Sequence, residues 1–89
     1  KVLSLVKEAN QEGKLIAAIC IAPTILANAG ILKDKKATAF STEEDSLRRG
    51  GANFTAAPVE IDGKIITADG PESAKVFGKA IVQVLGGEI

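Results

Sequence analysis

Leu15-Ile16-Ala17-Ala18-Ile19-Cys20-Ile21-Ala22-Pro23-Thr24 is an apolar run that breaks, at the chain's single cysteine, into a proline-led helical pattern. The continuous apolar stretch Leu15 to Ile19 has the form of a strand covered on both faces. Pro23 suits a first helical turn, where its missing N–H is not needed; Ile25 and Leu26 carry the helix on until Gly30 stops it. The stretch therefore reads as strand, turn and helix, with Cys20 at the turn. A residue placed there leaves the carboxyl end of a strand and meets the amino end of a helix, where free N–H groups and the macrodipole favour an anion. A thiolate is such an anion, so Cys20 is expected to have a lowered pKa and to be nucleophilic or oxidisable. Without the turn, a free cysteine is more often a small buried hydrophobe.

Outward from this elbow, helical and strand-like segments alternate. Upstream, Val2, Leu5, Val6 and Ala9 share one helical face over Val2 to Asn10, and Gly13 is placed to end that helix. Downstream, Ala37 to Phe40 reads as a short strand. Ser41-Thr42-Glu43-Glu44 has capping-box spacing, with Ser41 at the cap of a helix that runs through Leu47 to Gly50-Gly51. Phe54 to Ala56 reads as a brief strand. Val59-Glu60-Ile61 and Ile65-Ile66-Thr67 flank Asp62-Gly63, a dipeptide suited to a tight hairpin turn. Pro71-Glu72 opens a last helix through Ala74, Phe77, Ala80, Ile81 and Val84, with Gly86-Gly87 as its stop. Strands alternating with covering helices specify an α/β layer fold.

The 89 residues carry 11 basic and 11 acidic side chains, and Lys33-Asp34-Lys35-Lys36 is a mixed cluster, which excludes the basic stripe of a nucleic-acid binder. Phe40, Phe54 and Phe77 are the only aromatics, too few for a base-stacking platform. No apolar stretch reaches the roughly 20 residues that span a bilayer, and no charged start with a cleavable apolar run is present. The expected setting is cytoplasmic, away from membranes, where a reducing medium suits an unpaired cysteine. A chain this short buries little of its surface and has no disulfide or evident metal site to compensate. Lys1 is not a methionine, and Val2-Leu3-Ser4-Leu5-Val6 starts in a helical pattern without a cap. The chain is therefore expected to be part of a larger domain.

Ala17-Ala18-Ile19-Cys20-Ile21-Ala22-Pro23-Thr24, then Leu26 to Lys33 and Lys36-Ala37-Thr38, resemble the nucleophile-elbow region of the DJ-1/PfpI (ThiJ) family, within the class I glutamine amidotransferase-like superfamily. Asp62-Gly63-Lys64-Ile65-Ile66-Thr67-Ala68-Asp69-Gly70-Pro71, with Phe77 and Ala80-Ile81, resembles the family's closing hairpin and last helix. The resemblance covers essentially the whole chain and implies that residues 1–89 are the carboxyl-terminal half of one such domain. It also implies a flavodoxin-like three-layer α/β/α sandwich, with the β-hairpin before the last helix. The amino-terminal half, on the same or a separate chain, would be a partner, and a homodimer or higher oligomer is implied. No cofactor or metal is expected.

By the same resemblance Cys20 matches the family's reactive cysteine, supported in complete members by an acid from the absent half. Protease-like members place a histidine directly after the cysteine, where Ile21 stands here. Glyoxalase-like and deglycase-like members often use one near the position of Gly50-Gly51, where Ala52-Asn53 follows, and the chain contains no histidine at all. A Cys-His general-base pair cannot be assembled from this polypeptide alone.

Three functions then stand side by side. In the first, Cys20 attacks an amide or aldehyde carbonyl as a hydrolase, protease-like or glyoxalase/deglycase-like, while the N–H of Ile21 stabilises the oxyanion. In the second, Cys20 is oxidised reversibly in a redox-sensing or stress-protective protein. In the third, the chain is an oligomeric interaction module, since a bare strand edge at Leu15 to Ile19 is an aggregation hazard. Thr24, Asp69 and Gly70 are candidate pocket residues. Thr24 and Asn28, one turn apart, are equally explained by packing or solvent, and Asp69 or Gly70 is better explained as the cap of the last helix. Glu43, Glu44 and Asp45 read as solvated dipole compensation at a helix start.

Overall fold

Strand and helix form on either side of Cys20 as the pattern requires. In the computed structural model, which describes residues 1–86, helix α1 (Val2–Gln11) leads into strand β1 (Ile16–Ile19), then helix α2 (Pro23–Asn28) with Pro23 in its first turn. Strand β2 (Lys36–Ala37), a 3₁₀ turn (Ser41–Glu43), helix α3 (Glu44–Arg49) and strand β3 (Asn53–Phe54) follow. The hairpin strands β4 (Val59–Asp62) and β5 (Ile65–Ala68), a second 3₁₀ turn (Pro71–Ser73) and helix α4 (Ala74–Val84) complete the order.

Three helices end alike. The N–H of Gly13 bonds Asn10 C=O and that of Lys14 bonds Ala9 C=O; Gly30 and Ile31, then Gly51 and Ala52, repeat this paired closure. The closure needs a left-handed residue, and Gly13, Gly30 and Gly51 supply it at φ +73°, +80° and +86°. The expected glycine stops are thus borne out for these helices. Gly86 turns the chain after α4 at φ +96°, while Gly87 lies outside the described residues.

β5 is the centre of a three-stranded sheet, β1-β5-β4, parallel to β1 and antiparallel to β4. Register places Ile16 opposite Ile65 and Ala18 opposite Thr67 on one face, with Ala17 opposite Ile66 and Ile19 opposite Ala68 on the other. Helices α1 and α2 pack on β1, α4 packs on β5 and β4, and β2 pairs in parallel with β3 while lying against β4 and β5. Helices thus cover a sheet as an α/β sandwich requires.

The core is aliphatic. Leu26, Leu32, Leu47 and Ile65 are at most 4 % exposed and belong to one cluster, with Val6, Ile16, Ala22 and Phe54 packed against it. Each such leucine contributes about 1.5–3 kcal/mol by burial. Two buried threonines tie the layers together: Thr38 N–H donates to Thr67 Oγ1 (2.9 Å), and Thr38 Oγ1 donates to Ala57 C=O (2.6 Å).

Several local expectations are corrected. β1 is not covered on both faces: Ile66 on the central strand is fully buried, yet Ala17, its register neighbour on the edge strand, is exposed. The strand at Ala37 stops there rather than at Phe40, and the next one is Asn53–Phe54. Ser41 does not cap a helix by its side chain; a 3₁₀ turn intervenes, and Glu44 instead bonds Arg48 one turn on at 2.8 Å. The hairpin turn is Gly63-Lys64, one residue later than expected, because Asp62 pairs with Ile65 as the last ladder residue. Positive φ at Gly63 and not at Lys64 follows the type II′ pattern.

Candidate active site at the cysteine elbow

Leaving β1, the chain must reverse within three residues to start α2, and Cys20 absorbs that reversal at φ +67°. For a non-glycine residue this conformation costs on the order of 1–3 kcal/mol and persists only where neighbouring structure enforces it. Both backbone groups of Cys20 are held. Its N–H donates to Ala68 C=O at the end of β5 (3.0 Å), and its C=O accepts from Phe40 N–H (2.7 Å). The Ala22 N–H donates to Ile19 C=O (3.2 Å) and closes the turn. The thiol is free and half-buried.

Ile21 is the residue after the cysteine, and its side chain is 61 % exposed. Its carbonyl accepts from Thr24 N–H (3.2 Å), while its own N–H has no protein acceptor among the described residues. That leaves one backbone donor beside the thiol, the requirement for holding a developing oxyanion.

Thr24 is committed to a carboxylate. Its hydroxyl donates to Glu43 Oε1 (2.7 Å), and Thr42 Oγ1 donates to Glu43 Oε2 (2.9 Å). These two bonds, that from Thr24 first, hold the Glu43 carboxyl below its ordinary value. Glu43 stands in the first turn of the 3₁₀ segment, as its reading as dipole compensation expects, and beyond that reading it clamps this turn to the elbow helix. Glu44 and Asp45 do occupy the first turn of α3, where their charge favours the helix dipole. Asn28 is exposed on α2.

A cavity of about 490 Å³ opens next to the elbow, lined by Phe40, Phe54, Glu44, Asp69, Gly70 and Glu72 among others. It does not include Cys20, Ile21 or Thr24, but it shares walls with the elbow: Phe40 hangs from the Cys20 carbonyl, and Asp69 follows the Ala68 that holds the Cys20 N–H. Of the candidate site residues read from sequence, only Asp69 and Gly70 line it. Gly70 takes the cap position of the 3₁₀ turn that leads into α4, as expected, with no side-chain cap bond. Asp69 Oδ1 accepts from Ser73 Oγ (2.5 Å) and its N–H donates to Pro58 C=O (3.0 Å), whereas Gly70 C=O receives the Ser73 N–H (2.9 Å).

Phe40, Phe54, Glu44 and Glu72 were not legible as site residues. One signal was available, for Phe40 alone: it ends the predicted strand Ala37 to Phe40, at the edge where α/β sheets place their ligands. Glu43 gave none, since its partner Thr24 is 19 residues away. Among the described residues no three His, Cys, Asp or Glu side chains gather to hold a metal ion, and no helix is long and apolar enough to cross a membrane.

Comparison with known proteins gives these features a lineage. An uncharacterized protein of Methanocaldococcus jannaschii is 40% identical over 87 residues, covering 96% of this chain and 42% of that protein. A deglycase of Thermococcus kodakarensis is 32% identical over 85 residues, covering 96% of this chain and 51% of the relative. The crystal structure of a ThiJ/PfpI domain protein from Brachyspira murdochii superposes with a TM-score of 0.92 at 38% identity, covering 96% of this chain and 49% of that one. The chain thus spans about half the length of these relatives. Its residues 1–84 match the model of the DJ-1/PfpI family, and with the strained cysteine elbow on a parallel sheet edge the conclusion is direct: the chain belongs to the DJ-1/PfpI family.

Proposed function

We propose that Cys20 is the nucleophile of a cysteine-dependent enzyme acting on carbonyl compounds, of the deglycase type named among the relatives. The observation that carries this reading is the enforced left-handed backbone at Cys20, pinned by Ala68 and Phe40, with the Ile21 N–H free beside it. In the proposed step the Cys20 thiolate adds to a carbonyl carbon. A C–S bond forms, the π pair moves to oxygen, and the Ile21 N–H receives the developing charge. The proton acceptor and any acid come from the remaining half of the family-length domain, since this chain has no histidine. That half is proposed to precede residues 1–89 in the domain and to complete a cytoplasmic oligomer.

The test is the whole family-length protein assayed on an aldehyde adduct of an amine. Cys20→Ala is expected to lose on the order of 10³-fold or more in kcat/KM, as nucleophile deletions do. Full activity in that variant would sink the assignment. Alkylation of the single thiol at neutral pH should also run faster in the native protein than in denaturant.

A second reading draws on the absence of histidine: a redox sensor needs no general base. A peroxide would take the thiolate to sulfenate and leave as water or alcohol. Sulfenate trapping on Cys20 in a protein inactive on carbonyl substrates would favour it.

A further inference from the structure

The cavity beside the elbow has a one-sided chemistry that the cysteine's role does not explain. Its volume of about 490 Å³ falls within the range of small-molecule pockets, roughly 300–1,000 Å³. It sits where Phe40, Phe54 and Asp69 follow or end strands β2, β3 and β5 at their carboxyl ends, the edge where α/β sheets take ligands. Two walls are rings, Phe40 and Phe54, and Gly70 leaves space beside the first, since a Cβ there would stand 3.6 Å from the Phe40 ring. The polar lining is acidic, Glu44, Asp69 and Glu72, with no basic residue in the wall.

Partners sort these carboxylates. Glu44 is engaged by Arg48, whose guanidinium also lies 5.9 Å from the Phe54 ring centre. Among the described residues, Asp69 is oriented through one oxygen, by the hydroxyl of the buried Ser73, and Glu72 is exposed at the rim with no ion pair. Ring faces together with two uncompensated carboxylates attract an ammonium or guanidinium group on a short aliphatic stem and repel an anion. The Cys20 carbonyl accepts from Phe40 of that wall and its N–H donates to Ala68, the residue before Asp69, so the cavity wall is tied directly to the elbow backbone.

We propose that this cavity is the specificity subsite of the Cys20 reaction and selects substrates that carry a positive charge beside the reacting carbonyl. The assignment rests on the reading of Cys20 as a reactive thiol. Asp69 and Glu72 bind the cationic head, and the Phe40 and Phe54 rings take its stem.

The experiment compares three methanethiosulfonate reagents on the native protein: neutral methyl, cationic 2-aminoethyl and anionic 2-sulfonatoethyl. In each the thiolate forms a mixed disulfide and methanesulfinate leaves. The cationic reagent is expected to outpace the anionic one on the order of tenfold at low salt, after correction for their intrinsic rates with denatured protein. The ratio should shrink as salt is added. Asp69→Asn, whose side chain still accepts from Ser73, and the surface variant Glu72→Gln should each lower it, and together bring it near unity. A fast neutral reagent with no charge preference overturns the subsite while leaving the reactive thiol standing. Three reagents no faster on native than on denatured protein overturn the reactive thiol and the subsite that depends on it.

Discussion

The elbow side and the α1 side of this molecule differ in how far the chain satisfies its own chemistry. Around α2, α3 and β5, Leu32, Leu47 and Ile66 are 0 % exposed, and every buried side-chain polar atom among the described residues has a partner. Helix α1 buries none of its residues; Val2 and Leu5 are each 58 % exposed, while α4 buries only Ala80 and leaves Val76 at 54 %. Both helices have an apolar face in sequence. The difference teaches that amphipathic spacing reports a face meant for burial without saying that this polypeptide provides the cover.

The largest test of that comparison is a pair of leucine truncations. Leu47→Ala is expected to cost about 2–5 kcal/mol, by lost burial and a residual cavity, whereas Leu5→Ala should stay within about 0.5 kcal/mol in the 89-residue chain. Denaturant unfolding of both variants reads the contrast. A cost above about 2 kcal/mol at Leu5 in the family-length protein would show that the remaining half covers α1.

Next comes the threonine tie. Thr67→Val keeps the shape but leaves the Thr38 N–H without its acceptor, so a loss of about 1–3 kcal/mol is expected. An unchanged unfolding midpoint would show that water reaches this site and that the elbow side is less sealed than its burial indicates.

A smaller effect isolates the strain at the elbow. Cys20→Gly should be more stable than Cys20→Ala by about 1 kcal/mol, since a left-handed backbone penalises a Cβ by roughly that amount. Equal stabilities would mean that the elbow is relaxed, and would remove the physical basis for a poised thiol.

The smallest effect is electrostatic. Glu43 has its folded pKa below the ordinary 4.5 because the ionised carboxylate accepts from Thr24 and Thr42. The unfolded chain therefore binds the proton more readily. The stabilisation is present above about pH 4.5 and is lost as pH falls through the lowered folded value. Thr24→Val should bring the Glu43 titration, followed by NMR, back toward its ordinary position and flatten stability against pH in that window.

Much of the fold was legible because it depends on neighbours in sequence. The apolar run to Ile19, Pro23 after the elbow, and Gly13, Gly30 and Gly51 after their helices each act within a turn or two. Their elements appear within a residue or two of expectation. The capping box failed for a related reason: Ser41 and Glu44 have the spacing, but Phe40 is bonded to Cys20 at φ −55° and the chain enters a 3₁₀ turn, so Glu44 turns to Arg48. The hairpin slipped by one residue because ladder pairing, and not the Asp-Gly dipeptide, chose the turn.

The sequence by itself determined the lone cysteine between strand and proline-led helix, the alternation of strands and helices, and the absence of histidine. These are composition and short-range pattern, which no packing can alter. Only the tertiary structure decided that Cys20 is pinned between Ala68 and Phe40, that Thr24 serves Glu43, and that Phe40, Phe54, Asp69 and Glu72 meet around one cavity. Apart from Asp69 and Glu72, which share one turn, those contacts join residues from 14 to 48 positions apart, and they exist because parallel pairing of β1 with β5 brings distant strand ends to one edge.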